Sequence, residues 1–384
     1  MTTPIARLAA RRFEEIYGEP AAVLIRAPGR VNLIGEHTDY NDGFVLPMAI
    51  DRSVWIALRP RADRRMRLHS VDFGETAEFS LDNLRHENRG WVEYVRGMAH
   101  ILSVEGFRLR GWDGVIAGDV PIGAGLSSSA AVEMAAARAF AALGGWPWDS
   151  TTMAKVGRRV ENEWIMVNSG IMDQMISAAG RAGHALLIDC RSLETKPVPL
   201  PPNAAVVILD TMTRRGLVDS AYNERRAQCE RAAAYFGVPA LRDVDISTFN
   251  ERADGLDPVV ARRARHVITE NERVLHAAEA MRRGDAAKLG RLINESHASM
   301  RDDFEISRAE MDTMVALAQA EPGCYGARMT GGGFGGAAVA LGGAAGVDAF
   351  AATVSGAYRQ ATGLEPQLYI CAATDGAAVV SGAI

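Results

Sequence analysis

The sequence predicts a two-lobed α+β protein, and three observations predict it. At 384 residues the chain is longer than one hydrophobic core ordinarily serves, so two packed lobes are expected. Strand-like alternation and long amphipathic helical stretches both occur, with an antiparallel portion near the N-terminus. A proline-rich connector, KPVPLPPN at 196–203, interrupts them. Proline fixes φ and removes a donor, so this segment reads as an extended link, and the lobes are set at residues 1–200 and 201–384.

Taken in order, Ala6 to Tyr17 carries apolar residues at helical spacing and stops at Gly18 and Pro20. Ala22 to Ala27 is a short strand running into the turn signal Pro28-Gly29. The dense polar stretch RVNLIGEHTDYNDG at 30–43 follows, enclosed by apolar runs, which points to a site. Phe44 to Pro60 and Arg65 to Phe79 alternate as strands, Trp91 to Leu102 is helical, and Trp112 to Ala117 is a strand. Ser128 to Leu143 has high helix propensity and ends at Gly144-Gly145; its small side chains imply close packing. Thr152 to Val167 and a stretch from Ile171 are helices separated by Asn168-Ser169-Gly170, and His184 to Asp189 and Ala205 to Asp210 are strands flanking the connector. Beyond it, Tyr222 to Phe236, Val259 to Arg282, Ala286 to Met300 and Arg308 to Gln319 read as helices, with strands around Ala327 to Leu341 and Gln367 to Ala372.

Composition narrows the function classes. Hydrophobic residues at 48% and charged residues at 23% match an ordinary soluble globular chain. A net charge of −5 and a pI near 6.0 give no general attraction to nucleic acid or to an anionic membrane, so neither is an expected partner and any phosphate must be held locally. Cys190, Cys229, Cys324 and Cys371 lie too far apart for a zinc site or a disulfide scaffold, which fits a reducing compartment. The first residues are charged and break any apolar run short of a signal-peptide core. No later run approaches the ~20 apolar residues of a membrane span, so the cytoplasm is the expected location.

Four segments carry chemistry. PIGAGLSSSA at 121–130 opens a helix directly. Glycines let the backbone approach an anion, and the exposed N–H groups and dipole at a helix start favour phosphate. Serine hydroxyls add donors, and one can ligate the magnesium that accompanies ATP. The alternative is that the serines merely cap a helix. No Gly-Lys-Ser/Thr follows, so this is not a Walker A loop, and Arg30 is the candidate source of positive charge for the phosphates.

Glu36-His37-Thr38-Asp39-Tyr40 sets two carboxylates, an imidazole and a phenol side by side. Carboxylates accept from pairs of vicinal hydroxyls and histidine donates or accepts, which suits a polyol. A metal site and a solvated loop are the rival readings, and no second His/Asp/Glu cluster completes a metal site. Asp173 is the carboxylate in the apolar run from Gly170 to Ala179. Burial raises a carboxylate's pKa and a nearby arginine lowers it, so facing Arg30 it could stay ionised and accept a hydroxyl proton; alone it could be a helix-surface residue. Glu161, on the preceding helix, could reach a magnesium ion shared with Ser129. Gly331 to Gly336 formally contains GxGxxG, but a short apolar run and Gly342-Gly343 follow instead of a helix. A tight turn approaching the nucleotide or the first lobe is expected there, not a dinucleotide site.

With these segments assembled, the sequence resembles the galactokinase family of the GHMP kinase superfamily nearly end to end. GRVNLIGEHTDY at 29–40 looks like the family signature, VPIGAGLSSSAA at 120–131 like the superfamily's ATP motif and MTGGGFGG at 329–336 like its third motif. GIMDQ at 170–174, HALLIDCRSLET at 184–195, YNERRAQCE at 222–230 and ESHASMRDDFEI at 295–306 extend the likeness. The resemblance implies an N-terminal lobe of the ribosomal-protein S5 domain 2 type, a ferredoxin-like C-terminal lobe and an active site between them. It implies transfer of the γ-phosphoryl group of MgATP to the C1 hydroxyl of α-D-galactose by a monomer.

By motif, Asp173 would be the catalytic base and Arg30 would stabilise both its ionised form and the transition state. Glu36, His37, Thr38 and Asp39 would bind the sugar, with Gly170 approaching it and Tyr222 hydrogen-bonding it from the second lobe. Gly123, Ala124, Gly125, Leu126, Ser127, Ser128 and Ser129 would wrap the phosphates, Ser129 and Glu161 would ligate Mg²⁺, and Ser70 would touch the nucleotide. The departures are mild: Asn168-Ser169 stands where family members often carry a cysteine, and Met175 and Ala178-Ala179 vary the apolar face. Three alternatives remain. A kinase for N-acetylgalactosamine, arabinose or galacturonate would differ in a few cleft contacts. A non-catalytic galactose sensor has no need of Arg30, Ser129, Glu161 and Asp173 together, and a nicotinamide-dependent enzyme lacks the context its glycine motif requires.

Overall fold

A computed structural model describes residues 3–213 and 218–380. Helix α1 (Pro4–Tyr17) starts at Thr3, whose hydroxyl accepts from the Ala6 N–H, with Pro4 in its first turn. It ends where Gly18 turns left-handed. Its buried face, Ala6, Ala9 and Phe13, lies against Leu24, Trp55, Ala57, Val115 and Ala117 on one side of the first sheet.

That sheet has six strands in the order β13-β1-β3-β6-β4-β5, comprising β1 (Val23–Asn32), β3 (Pro47–Pro60), β4 (Arg65–Ser70), β5 (Glu75–Ser80), β6 (Trp112–Gly118) and β13 (Ala378–Val380). Its neighbours are antiparallel except β4 beside β6. Helices α2 (Val92–Val104), α3 (Ser128–Gly144), α4 (Ser150–Arg159) and α5 (Met172–Ala179) complete the lobe. The side chains Ile25, Ala27, Ile56 and Leu58 share one core with Ala131, Met134 and Ala135 of α3. A three-stranded sheet of β2 (Phe44–Val45), β7 (His184–Asp189) and β8 (Thr195–Pro199) flanks it.

The second lobe is a four-stranded antiparallel sheet, β10-β11-β9-β12, built from β9 (Ala204–Asp210), β10 (Cys324–Met329), β11 (Ala337–Gly343) and β12 (Gln367–Cys371). Its helices are α6 (Val218–Phe236), α7 (Ile246–Arg252), α8 (Pro258–Arg282), α9 (Ala286–Asp302), α10 (Ala309–Ala320) and α11 (Val347–Thr362). Strand alternation splits β9 between two cores: Val207 and Leu209 pack with Phe304 and Met314, while Val206 and Ile208 join the core of the first lobe.

Three sequence expectations change. The first strand does not stop at Pro28-Gly29; β1 runs on to Asn32 through a register slip between Pro28 and Arg30. A bulge absorbs the turn signal, and only glycine fits at position 29, where a Cβ would lie 2.8 Å from Val120 Cγ1 and 2.9 Å from Leu126 O. The proline-rich connector is not a free link, because its first half is β8, an edge strand on β7 where proline costs no ladder bond. The chain also returns to the first lobe at its end, with Leu24 opposite Val380 and Arg26 opposite Ala378. Two helices, α7 and α11, had no counterpart in the sequence reading.

Candidate active site

A cavity of about 400 Å³ lies between the lobes. Arg30 from β1, Glu36, His37 and Asp39 from the segment after it, Gly123 with Gly125 to Ser127 ahead of α3, and Ser128 and Ser129 at its start all line it. Glu161, Gly170 and Asp173 line it as well, while Tyr222 of α6 and Gly331 and Gly332 of the β10–β11 turn reach it from the second lobe. Val167, Ser169 and Met172 also line it and were missed in the sequence, since nothing in their type marks them.

Arg30 and Asp173 face each other as a parallel fork. Arg30 Nε donates to Asp173 Oδ1 and Nη2 to Oδ2, both at 2.8 Å, while Nη1 donates to Gly125 O at 2.5 Å. The Ser127 hydroxyl donates to the same Oδ2. Carboxylate, guanidinium and glycine loop are thus one hydrogen-bonded unit, with the arginine 5% exposed. Burial alone would lower the pKa of Arg30, but the carboxylates of Asp173, Glu36 and Asp39 outweigh it and the net shift is upward.

The serines do not act as a helix cap. Ser127 sits at the N-cap of α3 in a left-handed conformation and makes no side-chain cap bond among the described residues, because its hydroxyl is turned to Asp173. Gly123 and Gly125, which line the cavity ahead of the helix start, also have positive φ, 75° and 80°, a conformation that favours glycine. The first turn of α3 therefore presents unpaired N–H donors and the positive end of its dipole.

Glu161 lies where the expected helix from Thr152 changes character. The α-helix ends at Arg159 and Val160–Ile165 is a π-helical turn. Trp164 anchors that turn: its Nε1 donates to Glu93 Oε2 at 3.0 Å, and its ring sits over Gly97, where a Cβ would come within 2.8 Å. Glu161 Oε1 accepts from Ser129 Oγ at 3.2 Å, and burial followed by the Asp173 charge raises its pKa. Two hard oxygens beside a phosphate-type loop suit Mg²⁺, which takes one or two carboxylates and otherwise waters and phosphate oxygens. No group of three His, Cys, Asp or Glu among the described residues forms a closed metal cage.

Behind Glu161 stands Glu133, fully buried on α3, accepting from Gln174 Nε2 at 3.1 Å through Oε2. Burial first, then Glu161, raises its pKa well above the ordinary value. The signal for it was a lone glutamate inside the small-residue run SSAAVEMAAARAF.

Asp39 is held against Gly170 so closely that a Cβ there would lie 1.7 Å from Asp39 Oδ2. Burial, then Asp173, pushes Asp39 up to about 6. His37 has φ of 61°, its Nδ1 is 2.8 Å from Tyr40 Oη, and its ring lies 5.2 Å from Tyr222 and 4.8 Å from Phe304, joining the lobes through aromatic faces. Glu36 lines the cavity but is held by partners from both lobes. As expected, the glycine-rich turn approaches the first lobe: Gly331 N–H donates to Glu36 Oε1 at 2.7 Å.

Three expected site residues stand off the cavity. Thr38 is buried, and its hydroxyl is directed to Gly35 O at 3.0 Å and Phe44 O at 2.7 Å, so it fastens the loop that carries Asp39. Ala124 is fully buried beneath the glycine loop and supports it from behind. Ser70 is 2% exposed at the end of β4, accepting from the Phe73 N–H at 3.4 Å, while Phe73 and Trp91 line a separate open hollow.

A phosphate-type loop at a helix start, a forked Arg–Asp pair and a polar sugar-sized cleft between two α+β lobes define a small-molecule kinase of the GHMP class. Residues 93–181 match the GHMP kinases N terminal domain and residues 277–360 the GHMP kinases C terminal domain. Residues 11–60 match the galactokinase galactose-binding signature. The galactokinase of Roseiflexus sp. (strain RS-1) is 48% identical over 370 residues, 95% of each chain. The crystal structure of Lactococcus lactis galactokinase complexed with galactose superposes with a TM-score of 0.94 at 34% identity, covering 98% of this chain and 100% of that one. Methanococcus jannaschii mevalonate kinase shares the fold alone, with a TM-score of 0.65 at 17% identity over 92% of this chain and 98% of its own. The chain belongs to the galactokinase family of ATP-dependent sugar kinases.

Proposed function

We propose that this chain transfers the γ-phosphoryl group of MgATP to the C1 hydroxyl of α-D-galactose, releasing galactose 1-phosphate and ADP. The observation that carries the reading is the position of Asp173, fixed by Arg30 and Ser127, between the polyol-type group Glu36, His37 and Asp39 and the glycine-serine loop. The galactose bound in the Lactococcus lactis structure supports it.

Phosphoryl transfer asks a protein for positioning and charge neutralisation more than for covalent chemistry. Gly123 to Ser129 would cradle the phosphates with backbone donors, and Arg30 would offset the charge that develops on the transferred group. Oδ2 of Asp173 already accepts from Arg30 and Ser127, whereas Oδ1 accepts from Arg30 alone. Oδ1 is therefore the oxygen with capacity to take the proton of the sugar hydroxyl. Ser129 Oγ and Glu161 Oε1 would hold the Mg²⁺ that arrives with ATP; when bound, it offsets charge on the phosphate oxygens. Tyr222 would hydrogen-bond the sugar from α6.

The test is kcat/KM for galactose, N-acetylgalactosamine, arabinose and galacturonate with ATP, followed by ADP release. Galactose should lead; a higher value for another of the four would move the assignment to that sugar. Tight binding of galactose and ATP with no ADP formed would make the chain a sensor.

Two further outcomes follow from the cleft. Gly170→Ala should lower kcat/KM for galactose by about 10²-fold, because the new methyl displaces Asp39 and misplacement of about 1 Å costs that much. A fully active Gly170→Ala enzyme would show that Asp39 is free to shift. Asp39 must be ionised to accept two sugar hydroxyls, and its pKa stands at about 6. KM for galactose should therefore rise about tenfold for each pH unit below 6. A KM flat from pH 7 to about 5 would remove Asp39 from sugar binding. The sign for stability is the reverse: a raised carboxylate pKa favours the fold in acid, and that contribution disappears as pH rises through about 6.

We place the lobe boundary near residue 200, with the final strand returned to the first lobe, and take the protein to be a cytoplasmic monomer. Cys190, Cys229, Cys324 and Cys371 are all unpaired, and no helix among the described residues is long and apolar enough to cross a membrane.

A further inference from the structure

The Glu36 carboxylate is served unequally by the two lobes. Its Oε1 receives the Gly331 N–H at 2.7 Å and, as an ion pair, Arg328 Nη2 at 2.7 Å from the second lobe, while the Thr330 hydroxyl lies 3.1 Å from it and 3.0 Å from Asn32 O, with one proton to share between the two acceptors. Among the described residues its Oε2 receives only Asn32 Nδ2, at 2.7 Å, from the first lobe. A carboxylate oxygen has two good acceptor directions, so Oε1 is saturated and Oε2 retains one.

Arg328 is the costly member of this set. It is fully buried, with Nε donating to Met329 O at 2.8 Å, Nη1 donating to Leu33 O at 3.4 Å and Nη1 lying 3.5 Å from Glu270 Oε1. Glu270 on α8 is equally buried and in turn accepts from the Gly35 N–H at 2.9 Å and the Ser296 hydroxyl at 2.6 Å. A buried ion pair is weak grounds for stability, since apolar residues of similar volume often serve as well. Its distinctive product is geometric: a rigid fork from β10 that holds two glutamates of one polar network in fixed orientation.

We propose that Arg328, with Thr330 and Gly331, is a positioning residue for sugar recognition: by occupying Oε1 of Glu36 from the second lobe, it presents Oε2 to one hydroxyl of the sugar. Affinity for that hydroxyl then depends on the second lobe being seated on the first. The inference rests on the assignment of Glu36 to the sugar.

The experiment measures kcat and KM for galactose and for each of its monodeoxy analogues, with unfolding temperatures as a control. The variants are Glu36→Gln, Arg328→Met, Arg328→Lys and Thr330→Val. The wild-type enzyme should discriminate against one deoxy sugar, and Glu36→Gln should erase that discrimination. If Glu36→Gln leaves every ratio unchanged, the sugar role of Glu36 fails and the inference falls with it.

Arg328→Met should erase the same ratio and raise KM for galactose by about 10- to 100-fold, the worth of a hydrogen bond to a charged group. KM for ATP should stay within about threefold, and Arg328→Lys should recover part of the loss. Should Arg328→Met fail to fold, Thr330→Val decides, with an expected loss of about 3- to 10-fold confined to that same hydroxyl. Full discrimination in folded Arg328 or Thr330 variants, or losses spread evenly over galactose, ATP and every analogue, would overturn the proposal while leaving Glu36 in place.

Discussion

Asp173→Asn should lower kcat by at least about 10³-fold in a protein that still folds. An amide cannot take up the hydroxyl proton, and the damage goes further than the lost base. In the wild-type cluster both carboxylate oxygens accept from the Arg30 fork, and one also accepts from Ser127. An asparagine must turn its NH₂ toward one of these donors, so one contact of the fork becomes a repulsion and Arg30 loses its fixed orientation. The fold should survive, because Arg30 still donates to Gly125 O and still faces Glu36 and Asp39. Steady-state kinetics with an unfolding scan decides it: kcat within about tenfold of wild type in a folded Asp173→Asn enzyme would remove Asp173 from the base role.

The residue types of this cluster were legible in the sequence because each is anomalous in its surroundings. Asp173 stands in an apolar run, Arg30 sits beside a polar block, and glycines and serines lead straight into a helix. Their meeting in one site was an expectation, and in the folded chain Arg30, Asp173 and the glycine-serine loop line the same cavity. What could not be read depends on contacts between segments remote in sequence. Nothing local distinguishes the Thr38 hydroxyl, bonded to two carbonyls, from one facing a ligand. Pro28-Gly29 is a sound turn signal that packing against Val120 and Leu126 overrides.

The π-helical turn under Glu161 is set by Trp164 reaching Glu93 and Gly97 on α2, which no periodicity within 150–167 encodes. Glu133 left one trace, a lone glutamate in a small-residue run, but only the packing of α3 shows that it is buried. Fold-level features carried by composition and period were thus open to reading, while the fine aim of each polar atom was not.

Arg30→Lys tests how much of the catalysis is geometry, and should lower kcat by about 10²- to 10³-fold although the charge is kept. The guanidinium uses three nitrogens on three different acceptors at once, Asp173 Oδ1, Asp173 Oδ2 and Gly125 O. A lysine ammonium is a single centre on a flexible stem and cannot span them. Either the base or the glycine loop is then released, so KM for ATP should rise together with the fall in kcat. Arg30→Met supplies the comparison. It removes the charge as well and leaves Asp173 beside Glu36 and Asp39 without a counterion, so its kcat should fall below that of the lysine variant. The step from arginine to lysine reads the fork, and the step from lysine to methionine reads the charge. If Arg30→Lys keeps kcat within about tenfold while Arg30→Met loses it, charge alone suffices and the parallel fork is dispensable to the chemistry.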